Sequence, residues 1–488
     1  MTRALRRIGT EPRRPSWVRS HPRAPGYAVA TVCIGAFMGQ LDASIVTVAL
    51  PSIQRGFAAS VGAVAWVGLG YLVALVASVV VLGRVSDMLG RKLIYLYGFG
   101  TFVVGSALCV VAPSLGVLIA CRVLQGIGAA MLQANSVAII ALAVPRERLG
   151  RAIGVQGAAQ ALGLAAGPTL GGLLLAAGGW RLLFLVNVPT GLLAIVLGVV
   201  FLPRSTELRA RARLDVVGLA TMVPAIGAGL CALTLSGDRG LGSRWTVAFV
   251  VIAVLFAWGF VTHERRSAAP LVDVGVLSSR PIAFGILGTI ASYAVLFGVL
   301  LSMPFYLERG LHVGVAVGGV VLAAMPAAMG VSAVLAGRSI GRHGTGPLTV
   351  MGMLLIALSL VVMMLSHHTV LALVVELAAL GVGLGLFTPA NNAAVVSAAP
   401  RQDAGVVSGL INMGRGLGTA AGLAVTSLVL GSAAPGIGAS APAVARGFTI
   451  AVAMLAVVSM LGVVVALRAG GGTAGAARDL ASSAEVPQ

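Results

Sequence analysis

Long apolar runs separated by short polar connections are the dominant pattern of this chain. They fall at roughly 27–49, 63–83, 93–112, 114–143, 152–177, 183–202, 214–235, 244–262, 281–305, 315–337, 348–365, 369–394, 405–429 and 447–467. Each is close to the ~20 residues a helix needs to cross the hydrocarbon core of a bilayer. The expected fold class is therefore all-α integral membrane, with about fourteen transmembrane helices joined mostly as antiparallel neighbours. The first run follows seven arginines but lacks a convincing cleavage site, so it is expected to stay as the first span.

The polar segments Pro203–Leu214 and His263–Arg280 bracket two of the spans, leaving six on each side. The expected organisation is a tail over 1–26, a six-helix bundle over 27–202, two extra helices with flanking loops over 203–280, a second six-helix bundle over 281–467 and a tail over 468–488. Two similar halves fit the internal repeats of transporters. Gly83-Arg84 after the second span and Gly337-Arg338 after the tenth are corresponding features.

Charge fixes the expected orientation. With the N-terminus inside, 25 of the 33 Lys and Arg residues fall on inner segments and 6 on outer loops, as the positive-inside rule requires. Both termini are then cytoplasmic. Only Arg122 and Arg415 lie within spans.

Composition agrees. Hydrophobic residues make up 58% of the chain and charged residues 10%, against about 25% charged in soluble domains. The net charge of +19 does not point to nucleic acid, because the arginines form short clusters between apolar runs and make no basic stripe on a polar domain. Cys33, Cys109, Cys121 and Cys231 lie inside apolar runs without metal or disulfide spacing. His263-Glu264-Arg265-Arg266-Ser267 lacks the second histidine of a zinc protease box. His367-His368 falls in an outer turn and reads as solvated. The only lysine, Lys92, follows Arg91, so there is no phosphate-binding loop to couple ATP within this chain.

Four strings carry candidate chemistry. Gly83-Arg84-Val85-Ser86-Asp87-Met88-Leu89-Gly90-Arg91-Lys92 packs charges and two glycines into a tight turn, where Asp87 and Arg91 could pair if the turn is helical. Leu118 to Ala130 buries Arg122 about 12 Å into the fourth span, with Gln125, Ala129 and Gln133 following at helical spacing. An ionisable residue at that depth is functional by default. In the fifth span Gly163, Gly167 and Gly171 form a smooth stripe for close helix approach, and Pro168 with Gly172 completes the string. In the first span Asp42 lies about 10 Å from the outer end, at a depth where Arg122 could meet it. Glu376, about 10 Å into the twelfth span, is a second candidate for coupling, with a packing role as its alternative.

The first string resembles the loop signature of the major facilitator superfamily, in which the aspartate docks near a helix N-terminus of the other half. The second copy, from Gly337 to Arg342, has Gly341 where that aspartate would fall. The Arg122 string is similar to the superfamily's fourth-helix signature, tied to proton coupling. The Gly163–Gly172 string resembles the fifth-helix signature of its exporters. Leu41 to Pro51 together with Trp180 to Pro189 resemble the fourteen-helix drug–proton antiporters of the EmrB/QacA type. The resemblance implies a major facilitator fold in a bacterial cytoplasmic membrane, with protons entering as a small, mostly apolar molecule leaves.

In that reading Asp42 takes the proton, Arg122 biases it, and no cofactor is needed beyond the proton gradient. The partners are a small-molecule substrate, protons and the bilayer, and a monomer is the expected form. Candidate substrate contacts are Phe37, Met38, Gln133, Tyr293, Phe297, Asn391 and Asn412, since aromatic and methionine side chains suit promiscuous apolar ligands, with packing as the alternative for each. Arg415, near mid-depth with Asn412 one turn before it, could hold an anionic or polar group in the second half. Two other functions stay open: export of a dedicated metabolite, lipid or self-made antibiotic, and a membrane receptor or intramembrane enzyme.

Overall fold

The structure, a computed structural model, describes residues 11–12, 14–205, 215–239, 242–267, 279–366, 369–398, 404–434 and 439–483. The first half holds α1 (Ala24–Phe57), α2 (Val61–Leu89), α3 (Arg91–Val110), α4 (Leu115–Ala143), α5 (Arg146–Gly178) and α6 (Arg181–Phe201). Two further helices follow, α7 (Val216–Arg239) and α8 (Arg244–Glu264). The second half holds α9 (Arg280–Phe305), α10 (Val315–His343), α11 (Thr345–Leu365), α12 (Val370–Ser397), α13 (Ala404–Ala433) and α14 (Ala441–Ser483). Among the described residues 13 helices are long and apolar enough to cross a membrane, and α7 adds the shorter apolar stretch Val217–Gly229.

The helices outrun the apolar runs that announce them, because helical hydrogen bonding continues past the hydrocarbon edge until a cap or a glycine stops it. Ser60, Ser114 and Thr369 each accept a hydrogen bond from the backbone three residues on and so start α2, α4 and α12. At Gly90, φ is 112°, a conformation other residues rarely adopt, and α2 turns there directly into α3. The tail expected from residue 468 continues α14 to Ser483, with no proline to break it.

Packing repeats between the halves. α1 lies against α5 and α6, α2 against α4, and α3 against α4 and α6. In the same way α9 lies against α13 and α14, α10 against α12, and α11 against α12 and α14. The halves meet where α5 packs on α10, α2 on α13 and α1 on α9. α7 leans on both α2 and α13, spanning the seam, whereas α8 packs on α7 and turns most of its apolar surface outward. This hairpin is tied at its ends by Asp215. Its carboxylate accepts the backbone N–H of Gly218 at 2.8 Å, capping α7, and lies 2.7 Å from His263 Nε2 on α8.

One end of the seam is closed. From Ala294 to Leu307 every residue is buried, and α1 is similarly buried from Ser44 to Pro51. Beyond them Arg55 of the first half forms an ion pair with Glu308 in the π-helical turn Tyr306–Gly310 after α9. Toward their other ends, α1 and α9 alternate buried with partly exposed positions, and a cavity opens between the halves.

Candidate functional site

Four helices deliver polar side chains to one buried point. Residue spacing on α4 puts Arg122 and Gln125 one turn apart on the face toward α1, which carries Asp42. Arg122 Nη1 donates to Asp42 Oδ2 at 2.6 Å and to Gln125 Oε1 at 2.6 Å. Gln125 Nε2 donates to Asp42 Oδ1 at 2.9 Å and to Ser106 Oγ of α3 at 2.8 Å. Asn187 Nδ2, where α6 resumes after an irregular step at Val186, donates to Asp42 Oδ1 at 2.8 Å. Arg122 Nε donates to the Val67 carbonyl of α2 at 2.9 Å.

The group is dry. Asp42 and Gln125 are 0% exposed and Arg122 and Asn187 only 1%. On insertion scales an arginine at the centre of a span costs about 2.5–3.5 kcal/mol. Here that cost is offset by an anionic partner, two further acceptors and two aromatic faces. Tyr71 lies 4.3 Å from the guanidinium carbon and Phe184 5.7 Å. A buried pair of this kind is a poor device for stability, because desolvation consumes most of the attraction. It is a good device for switching: neutralising Asp42 would strand Arg122 and strain every helix that holds the group.

The cavity lies beside this group. α1 lines it with Ala36, Gly39, Gln40 and Ala43, α4 and α5 with Gln133, Gln156 and Gln160, and the second half with Tyr293, Phe297, Asn412 and Arg415. It encloses about 820 Å³ counting its open mouth and the adjoining solvent space. Tyr71 and Leu72 form the wall between it and a small void next to Arg122.

Five of the eight candidate contacts line the cavity: Gln133, Tyr293, Phe297, Asn412 and Arg415. Phe37, Met38 and Asn391 do not. The helical phase of α1 turns its small residues to the cavity and Phe37 and Met38 aside. The Phe37 carbonyl faces Gly163, and Met38 is buried near Gly191 of α6. Asn391 is a packing residue, donating to the Gly285 carbonyl and to Thr289 Oγ1, both at 2.9 Å. Glu376 is buried in α12, where its Oε1 accepts from Ser366 Oγ at 2.5 Å, away from the Asp42 group and outside the cavity lining.

The glycine string of α5 serves two neighbours. A β-carbon at Gly163 or Gly167 would collide with Phe37 or Ser44 of α1, and Gly171 faces Ile45 one turn further. Gly172 points the other way, with Val315 and Gly319 of α10 close against it, and the Pro168 carbonyl also faces Gly319. The string thus joins α1 to the seam between the halves. At the α2–α3 elbow, Gly83 has Ala134 of α4 as its neighbour, while Gly90 and Lys92 meet Glu11, whose carboxylate accepts the Lys92 backbone N–H at 3.0 Å. The backbone N–H of Arg91 donates to Ser205 Oγ at 2.9 Å. The side chain of Asp87 and the pair His367-His368 lie outside the described residues.

Sequence reasoning singled out Asp42 and Arg122 and noted Gln125 on the Arg122 face. It took Asn187 only as part of the Trp180–Pro189 string and passed over Ser106 and Tyr71. Asn187, a lone amide in an apolar run, was a usable signal. A serine or a tyrosine within a span is too common to have been one.

A sequence profile of the Major Facilitator Superfamily matches residues 32–423. The multidrug resistance protein Stp of Mycobacterium tuberculosis is 33% identical over 81% of this chain and 74% of its own length. The tetracenomycin C resistance and export protein of Streptomyces glaucescens is 32% identical over 84% of this chain and 76% of its own. Among solved structures, a bacterial homologue of the human lysosomal transporter Spinster, in an inward-facing and unoccupied conformation, superposes with a TM-score of 0.67. That superposition covers 92% of this chain and 98% of the homologue at 16% identity, a likeness of fold.

Proposed function

Because this chain belongs to the Major Facilitator Superfamily, and is a membrane transporter and not an enzyme, we propose that it exports small, largely hydrophobic drug-like compounds in exchange for protons. The observation that carries this reading is the buried Asp42–Arg122–Gln125–Asn187 group, set one tyrosine away from a cavity that opens between the halves. Relatives named for multidrug resistance and for export of an antibiotic support the direction and the kind of cargo.

With the N-terminus inside, the closed end at Arg55–Glu308 is the outer one and the cavity opens to the cytoplasm. Asp42 paired with Arg122 is then the state that has already released its proton inward and is ready for cargo. Loading and rocking of the halves bring the cavity to the outer side. A proton reaching Asp42 there removes the charge that holds Arg122. The loss is felt directly by α2, α3 and α6, because Arg122, Gln125 and Asn187 bind those helices or belong to them. A dedicated single-compound exporter is the second reading, favoured by the relative named for tetracenomycin C alone.

The test is efflux of a dye and antibiotic panel from proteoliposomes, with and without a pH gradient. Asp42→Asn keeps the size of the side chain but cannot titrate, so gradient-driven export should vanish, while Asp42→Glu should keep part of it. Full gradient-driven export by a folded Asp42→Asn protein would remove Asp42 from the mechanism.

A further inference from the structure

The cavity is asymmetric in charge. Among the described residues that line it, Arg415 is the only charged one. Neither intramembrane carboxylate reaches it: Asp42 is 0% exposed and already holds three donors, and Glu376 lies in α12 outside the lining. Arg415 is under-used by the protein. Its Nε is buried without a hydrogen-bond partner, and its Nη1 makes one long contact, 3.4 Å, to Asn412 Oδ1.

The groups around Arg415 suit a flat ring system. Tyr293 and Phe297 stand one turn apart with ring centroids 6.5 Å apart and planes inclined by 22°. The Arg415 guanidinium is 5.6 Å from the Tyr293 centroid. Across the cavity, in the first half, Gln40, Gln133 and Gln160 offer side-chain amides that hold no partner among the described residues. Amides donate and accept, so they serve a polar edge of either kind.

We propose that this cavity selects flat aromatic compounds carrying an acidic group, a carboxylate or an ionised phenol. The rings would lie against Tyr293 and Phe297, and the acidic oxygen would take the N–H groups of Arg415. The inference rests on the reading of this cavity as the path of the exported compound, and narrows the expected cargo from mostly apolar to aromatic and anionic. A guanidinium paired with an oxyanion makes short, charge-assisted hydrogen bonds. An aromatic cation entering the same space gives up hydration beside a like charge and meets no carboxylate.

Two xanthene dyes of similar shape and opposite charge test this: anionic fluorescein and cationic rhodamine 6G. Binding to the purified full chain is followed by fluorescence anisotropy. Fluorescein should bind at least about ten-fold more tightly, the scale of one hydrogen bond to a charged group. Arg415→Gln should erase that preference, and Arg415→Lys should keep part of it. Equal or tighter binding of rhodamine 6G by the unaltered protein would overturn the inference without any variant. So would unchanged fluorescein binding by an Arg415→Gln protein that keeps its melting temperature. Proton-driven efflux of rhodamine 6G with no Arg415-dependent binding of fluorescein would sink this inference and leave the export reading standing. Arg415-dependent binding of fluorescein with no gradient-driven flux of any dye would sustain the cavity chemistry and overturn export.

Discussion

Asn187 Nδ2 lies 2.8 Å from Asp42 Oδ1, although the two residues are 145 positions apart. The bond ties the kinked α6 to the carboxylate that Arg122 holds from the other side. Gln125 shares the same oxygen, so three donors, two from α4 and one from α6, hold the one carboxylate of α1. The arrangement makes Asn187 a positioning residue for Asp42. Removing a hydrogen bond to a charged group costs about 1.5–3 kcal/mol. Asn187→Ala should therefore slow gradient-driven export by about ten-fold or more. It should also shift the pH dependence of substrate binding, which a purely structural residue would leave in place. An unchanged pH profile together with a normal export rate would show that Asp42 does not need this partner.

Gly163 and Gly100 should behave oppositely when replaced by alanine. A β-carbon at Gly163 meets the backbone carbonyl of Phe37, which cannot rotate away, whereas nothing lies within 4 Å of one at Gly100 in α3. Overpacking of this kind costs about 1–3 kcal/mol. Alanine in an open helical position gains up to about 1 kcal/mol over glycine. Gly163→Ala should lower the melting temperature and slow export, while Gly100→Ala should hold or raise stability. Equal melting temperatures for the two variants would mean that α1 and α5 do not pack this closely.

The Arg55–Glu308 pair should act as a weak clamp on the closed end. It joins the end of α1 to the turn after α9, and the Arg55 side chain is 46% exposed, so solvent screens the pair. Exposed pairs are worth up to about 1 kcal/mol. Arg55→Ala should raise the population open at that end by up to about five-fold, read from spin-label distances between the two halves. The swapped pair, Arg55→Glu with Glu308→Arg, should restore the starting distribution. Failure of the swap to do so would assign the effect to something other than this pair.

The α7–α8 hairpin should loosen in acid. Burial pushes the Asp215 carboxyl up, but the Gly218 N–H, the His263 ring and Ser267 outweigh it and hold Asp215 below the usual carboxylate range. A lowered folded pKa means stability that is present above the ordinary carboxylate value, about 3.9, and lost as the pH falls through the folded one. Above about pH 5 the unaltered protein should melt later than Asp215→Asn, and the two curves should converge below about pH 4. Parallel curves across that range would remove Asp215 as the tie.

The sequence by itself determined the number and order of the helices. Each span must satisfy its own backbone hydrogen bonds in lipid, so every one is written as a local apolar run of fixed length. It also singled out the two members of the buried ion pair, because Asp42 and Arg122 are conspicuous in a medium where charge is expensive. The close approach along α5 was legible for the same reason: glycines at helical spacing have a single steric meaning. Only the tertiary structure decided which partners complete the pair and which side chains face the cavity. Asn187 meets Asp42, the Val67 carbonyl meets Arg122 and Ser106 meets Gln125, from three different helices, and nothing local marks that convergence. Phe37 and Gln40 lie within one turn of α1, yet the rotation of that helix against α5 and α6 sends one into packing and the other into the cavity. Helix formation is settled residue by residue along the chain, whereas the rotation of each helix about its axis is settled by all its neighbours at once.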